Sequence, residues 1–192
     1  MSILKLNVVA VPSTPAAGKV RVFAGTDKIV KQIDDAGLIS ILGRRATTMP
    51  AAVPTSGTGE TLLFKALIPA GAQIGDTFRV TLFGVSSSTG TLLFRARVGA
   101  NGSIADNQAW ISTTSAAQVA NAWAEVDVLI TLRSAIAVQA SGCALAGAVV
   151  LPQLIGAPAT AAIVSTSQWY IDITCACSVG TFTAQNAAVE AM

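Results

Sequence analysis

The residues able to do chemistry are few, and their types exclude most of it. The chain contains no histidine. Ser-His-Asp and Cys-His nucleophilic catalysis are therefore absent, as is every His-ligated metal site. A zinc site would need the three cysteines, Cys143, Cys175 and Cys177, together with carboxylates, and they lack CxxC spacing. Cys175 and Cys177 lie two apart in a strand-like stretch and so point to one face, a poor placement for bonding each other. Cys143 could reach one of them, but all three read as free, buried, small apolar residues of a chain folded in a reducing compartment. Two close carboxylate pairs stand out, Asp34-Asp35 and Glu125/Asp127. Glycosidase carboxylates must flank a sugar at about 5–10 Å. Asp34-Asp35 instead falls where a hairpin turn takes Asp and Gly. Glu125 and Asp127 fall on the polar face of a strand. Two carboxylates are too few ligands for calcium. There is no phosphate-cradling glycine loop and no dinucleotide fingerprint. The expectation is a non-enzymatic protein with no catalytic residue, metal or cofactor.

Binding remains. Trp110, Trp123, Trp169 and Tyr170 are candidates for stacking on a sugar ring. Trp169 shares the parity of Ile171 and Ile173 and reads as core, whereas Tyr170 faces the other way. Trp110 follows the polar stretch 101–108 and reads as a loop-edge residue. Trp110 and Tyr170 are thus the candidate ligand contacts. Arg79, Arg95 and Arg97 read as sharing one sheet face, either as an intersubunit or solubilising salt-bridge face or as a contact for an acidic glycan. The net charge of +2 is too small to argue for nucleic acid, and Arg44-Arg45 reads as solvated linker charge.

The elements that position these residues must bury an unusual composition. Of 192 residues, 52% are hydrophobic and 11% are charged. Soluble monomers carry about 25% charged residues. No window reaches the roughly 18 uninterrupted apolar residues of a membrane helix. The longest, residues 143–151, is bounded by Gly142 and Pro152. The N-terminus does not read as a signal peptide. A low-charge, β-rich surface without membrane insertion suits an obligate oligomer or a component of a large assembly.

Residues 1–11 read as a short strand or arm. A hairpin module follows to Gly43, with strands over 19–24 and 29–33 and a third ending at Leu42-Gly43. Residues 44–59 carry two prolines, two glycines and no apolar periodicity, and read as a linker. From Glu60 onward the pattern is β. Residues 61–68, 77–85, 91–98, 124–133, 134–140, 145–151, 168–176 and 180–189 read as strands. Residues 99–107 read as a polar turn, and 115–123 as a brief helix or turn. In 124–133 the alternation sends Val126, Val128, Ile130 and Leu132 to the core. Eight or so strands over about 130 residues predict an antiparallel jelly-roll β-sandwich, larger than the roughly 100-residue immunoglobulin type. The expected class is all-β: a small N-terminal β-hairpin module over 1–43, a linker over 44–59, and a jelly-roll β-sandwich over 60–192.

Two stretches carry a resemblance. The first runs Gly18-Lys19-Val20-Arg21-Val22-Phe23, then Lys28-Ile29-Val30, then Asp34-Asp35-Ala36-Gly37, closing on Leu42-Gly43. The second is TLLFKALIPAGAQIGDTFRVTLFG, residues 61–84. In this order they resemble the N-terminal hairpin module and first sandwich strands of tailed-bacteriophage fibre and appendage proteins. Phe23 and Val30 stand where tyrosines are usual. The resemblance covers roughly the first 100 residues. It makes Gly18, Lys19, Val20, Arg21, Phe23, Asp34, Gly37 and Gly43 an attachment motif. It implies a virion structural protein made in the host cytoplasm, most simply a homotrimer. Its N-terminal region would dock on capsid, tail or baseplate partners, and its jelly roll would project for assembly and multivalent adhesion to a host-surface glycan. Alternatives are a capsid decoration (cement) protein, and a freestanding carbohydrate-binding module or small glycan-active enzyme.

Overall fold

A computed structural model describes residues 10–24, 30–33, 35, 39–41, 46–55, 57–87, 89–147, 149–152 and 160–192. Every regular element among them is a strand. Three short strands come first: β1 (Arg21–Ala24), β2 (Val30–Ile33) and β3 (Ile39–Ile41). They form an antiparallel meander of their own, with Arg21 opposite Ile33 and Lys31 opposite Ile41. Phe23, Ala24 and Ile33 are buried. Gly18 turns the chain before β1 with a left-handed φ of 71°, and its N–H donates to Asp35 Oδ2 at 2.6 Å. Arg21 Nη1 donates to the carbonyl and the hydroxyl of Ser13, each at 3.1 Å. Lys19 and Val20 are exposed. Asp34, Gly37 and Gly43 of the motif lie outside the described residues, as does the arm read over 1–9.

The remaining strands are β4 (Ala46–Thr48), β5 (Val53–Pro54), β6 (Glu60–Ile68), β7 (Thr77–Ser86), β8 (Leu92–Gly99), β9 (Asn107–Ile111), β10 (Trp123–Ser134), β11 (Ala137–Ala146), β12 (Val149–Pro152), β13 (Thr160–Ala162), β14 (Trp169–Cys177) and β15 (Phe182–Ala191). They make a β-sandwich of two antiparallel sheets. The larger runs β12-β11-β10-β7-β15-β4, with β13 also on β11 and β5 also on β15. The smaller runs β6-β14-β8-β9. Period-two alternation explains the inner faces. On β10, Val126, Val128, Ile130 and Leu132 are wholly buried, as their spacing predicts. On β7 the inward set is Phe78, Val80 and Leu82. Edge-to-face rings join the layers: Phe78 of the larger sheet meets Trp169 of the smaller at 5.6 Å, and Phe182 meets Phe94 at 5.3 Å. Cys175 and Cys177 lie in this core, Cys143 is half-buried, and all three are free.

Several elements differ from the sequence reading. The described part of the stretch read as a linker, residues 46–55, is not a loose connection: β4 and β5 both pair with β15, and Met49 and Val53 pack on the core. Pairing satisfies backbone groups that an unpatterned Thr/Ala/Pro stretch gives no sign of using. The stretch 115–123 forms no helix. The Leu92 N–H donates to Ser115 Oγ, Ser115 N–H to the Leu92 carbonyl, and Gln118 N–H to the Gly90 carbonyl, so the segment runs extended beside the start of β8. It turns into β10 at Asn121, whose φ of 65° suits an Asn. The polar turn ends at residue 106, because Asn107–Ile111 pairs with β8 as β9. The apolar run 145–151 is a bend at Gly147 between β11 and β12, not one strand.

Candidate functional site

The chemistry-bearing side chains gather on the outer face of the smaller sheet. Outward positions of β14 carry Tyr170, Asp172 and Thr174, and those of β8 carry Arg95 and Arg97. Register sets Asp172 between Lys65 of β6 and Arg97 of β8, and Thr174 beside Arg95. Glu60, which opens β6, sits among them. Arg97 forks onto its carboxylate, Nε to Oε1 at 2.6 Å and Nη2 to Oε2 at 2.8 Å. Arg95 Nη1 lies 3.2 Å from Oε2, and the Thr174 hydroxyl donates to Oε1. Burial pushes the Glu60 carboxyl up. Hydrogen bonds from Arg97 and Thr174, with the charges of Arg95 and Arg97, outweigh it and hold the group below its ordinary range.

The loop 100–106 folds over this face and is built around Asp106. Its carboxylate accepts from Asn101 Nδ2 at 2.8 Å, from the Gly102 N–H at 2.7 Å, and from the backbone N–H groups of Asn101 and Ser103. Burial opposes ionisation here too, but the donors from Asn101, Ser103 and Gly102 win and lower the pKa. Arg97 Nη1 donates to the Asp106 carbonyl at 2.8 Å, tying the loop to the Glu60 cluster. Two glycines permit the close approach. A Cβ at Gly99 would sit 2.4 Å from the Asp106 carboxyl. One at Gly102, already at φ 61°, would sit 3.0 Å from the Tyr170 ring.

The loop buries Asp172 completely. Neither of its carboxyl oxygens has a hydrogen-bond partner of ordinary geometry. Burial, then hydrogen bonding to Asp106 and the charge of Asp106, push its pKa up to about 8, with Lys65 offsetting only part. Asp106 and Asp172 are thus neighbouring carboxyls with opposite shifts, one held ionised and one held neutral at pH 7. Beside the loop opens a cavity of about 440 Å³ between residues 99–107 and the segment 162–169 that leads into β14. Trp169 lines it, only 1% exposed, with no acceptor for its indole N–H.

Two sequence expectations for the site change, and the placing of Glu125 and Asp127 on the polar face of a strand holds. Trp110 is not a loop-edge residue: it is wholly buried on β9, and its Nε1 donates to the Gly142 carbonyl at 3.2 Å. Arg79 does not share a face with Arg95 and Arg97, because β7 belongs to the other sheet; it forks onto Asp127 at 3.0 and 2.6 Å. Glu125 is exposed, and Asp127 is taken up by that pair. Tyr170 does face outward, half-buried, with Lys65 Nζ 5.7 Å from its ring centroid. Glu60, Asp106 and Asp172 were not singled out from the sequence. Asp172 shares the outward parity of Tyr170 and Thr174. Asp106 closes an Asn-Gly-Ser stretch of the kind that an aspartate caps.

No protein-family description matches the chain, and no curated protein matches it. Two solved structures of infectious bursal disease virus show similarity. That of the Gx strain is 13% identical with a TM-score of 0.31, over 85% of this chain and 38% of that one. That of the Gt strain is 14% identical with a TM-score of 0.30, over 88% of this chain and 41% of that one. The chain therefore spans about two fifths of the length of either.

Proposed function

We propose that this chain is a non-enzymatic structural protein of a tailed-phage virion: an appendage subunit, homotrimeric, that attaches through its N-terminal hairpin module and projects the sandwich. The observation that carries the reading is the division of the chain into a separate N-terminal meander and a sandwich with its own core. In the meander, Gly18 and Arg21 of the resembling motif make the turn and brace contacts of the hairpin, and Phe23 is buried. The sandwich adds an apolar outer surface. Trp123, Phe83 and Leu129 point outward from the larger sheet, each about 40% exposed. Only 11% of the chain is charged, so solvating such a face is hard and covering it with another subunit is favourable. Partners are other copies of the chain and the capsid, tail or baseplate component that receives the hairpin. A non-enzymatic role fits the carboxylates: Glu60 and Asp106 are saturated by donors, and Asp172 has no access to solvent.

The test is the solution mass of the full chain by light scattering. Three times the 19.4 kDa of one chain is expected at micromolar concentration. A stable monomer overturns the trimeric appendage and favours a decoration protein that orders on the shell, or a lone binding module.

A further inference from the structure

We propose that loop 100–106 is a proton-operated latch: it closes over β14 while the Asp172 carboxyl carries a proton, and it opens when that proton is lost. The proposal rests on the fold and not on the appendage reading above. Asp172 points outward from β14 yet is wholly buried. Every element packed against it leaves its carboxyl without a donor. From β8, Arg97 lies opposite, but its Nε and Nη2 go to Glu60 and its Nη1 to the Asp106 carbonyl. Arg95, one step further along β8, also serves Glu60. From β6, Lys65 lies opposite, but it is exposed and its Nζ stands over the Tyr170 ring. On β14 itself, the Thr174 hydroxyl is given to Glu60. From the loop come the Ser103 N–H, already turned to Asp106, and the Asp106 carboxylate. Both oxygens of Asp172 are left without a hydrogen-bond partner.

An ionised Asp172 under the closed loop would be an uncompensated buried charge against a second carboxylate. Burial and Asp106 accordingly push its pKa up to about 8. The loop is the part able to yield. Its own bonds to Asp106 keep it together as a unit, Ile104 and Ala105 face solvent, and the Arg97 bond to the Asp106 carbonyl ties it to the sheet. Lifting it admits water to Asp172 and frees Lys65 to approach. Opening returns Asp172 toward its ordinary value of 3.8, so opening releases a proton between about pH 4 and pH 8. The open fraction therefore rises by up to about tenfold per pH unit across that window and levels off above it. Asp106 does not blur this, because its lowered pKa keeps it ionised throughout.

The experiment is amide hydrogen exchange of the full chain, followed by NMR from about pH 5 to pH 9, on the natural chain and on Asp172→Asn. The Gly102 and Ser103 amides report the loop, and Val128 of β10 reports the sandwich core. In the natural chain the protection of the two loop amides, corrected for intrinsic exchange, should fall by up to about tenfold per pH unit to pH 8 and then level off. It should stay below that of Val128 at every pH, so that the loop opens without the sandwich. In Asp172→Asn, which cannot ionise, loop protection should be flat. Lys65→Met removes the one cation that can reach Asp172, and should carry the decline to higher pH before it levels off. Loop protection independent of pH in the natural chain overturns the proposal. So does an equal slope in Asp172→Asn, or loop amides that exchange only together with Val128. Should Asp172→Asn not fold, a decline that Lys65→Met leaves in place at the same pH overturns it as well.

Discussion

Asp172 is the residue whose environment is least like water, and its behaviour with pH follows. Its folded pKa of about 8 lies above the ordinary value of 3.8, so between those limits the folded state holds a proton that the unfolded chain has released. Stability therefore falls as pH rises from about 4 to about 8, and levels off above. Asp172→Asn should remove that slope and raise the melting temperature more at pH 8 than at pH 5, which thermal unfolding at a series of pH values would show. Glu60 has the opposite sign: its lowered pKa gives stability that is present at neutral pH and lost as acid titrates the group. Glu60→Ala leaves Arg95 and Arg97 shielded and unpaired, and should cost about 3 kcal/mol in urea unfolding, with Glu60→Gln milder. None of this was legible in the sequence. Parity sent Asp172 outward with Tyr170 and Thr174, and outward normally means wet. Only the fold of loop 100–106 reverses that. Trp110 failed in the other direction: the polar residues before it suggested a loop, but pairing on β8 turned the indole inward.

Among the elements, the strands with strict alternation were legible and the rest were not. β7 and β10 announce their inner faces residue by residue, because each is central in its sheet and only one face is buried. β4, β5 and β9 are short edge strands, too brief for a period to show. The grouping of Arg79 with Arg95 and Arg97 failed for a related reason. Strands adjacent in sequence, β7 and β8, enter different sheets, and nothing local records that choice. The finding about residues 46–55 has an experimental consequence. A chain lacking residues 1–43 keeps β4 and β5 on β15 and should melt close to the full-length protein. A chain lacking residues 1–59 exposes that edge of β15 and should melt lower by about 5 °C or more, with a rise in scattered light from edge-to-edge association.

At the scale of the whole molecule, the two outer faces differ in kind. The smaller sheet's outer face is polar, roofed by a loop and tied down by arginines. The larger sheet's outer face leaves Phe83, Leu129 and Trp123 open around the exposed Arg79–Asp127 pair, which itself adds little stability. If copies of the chain meet, the larger sheet is where they gain most by it. Leu129→Glu should lower the light-scattering mass toward that of one chain while leaving the melting temperature of the sandwich within a few degrees, since the substituted side chain touches solvent and not the core.

The strand order also constrains how the molecule is made. β6 finds its one long-strand partner only in β14, about 100 residues later, and β7 finds one of its two in β15. At about 5–20 residues per second of synthesis, β6 waits roughly 5–20 s on the ribosome before its edge can be covered. The sandwich therefore cannot close until nearly all of the chain has been made, and the apolar inner face of β6 stays uncovered by its strand partner for most of synthesis.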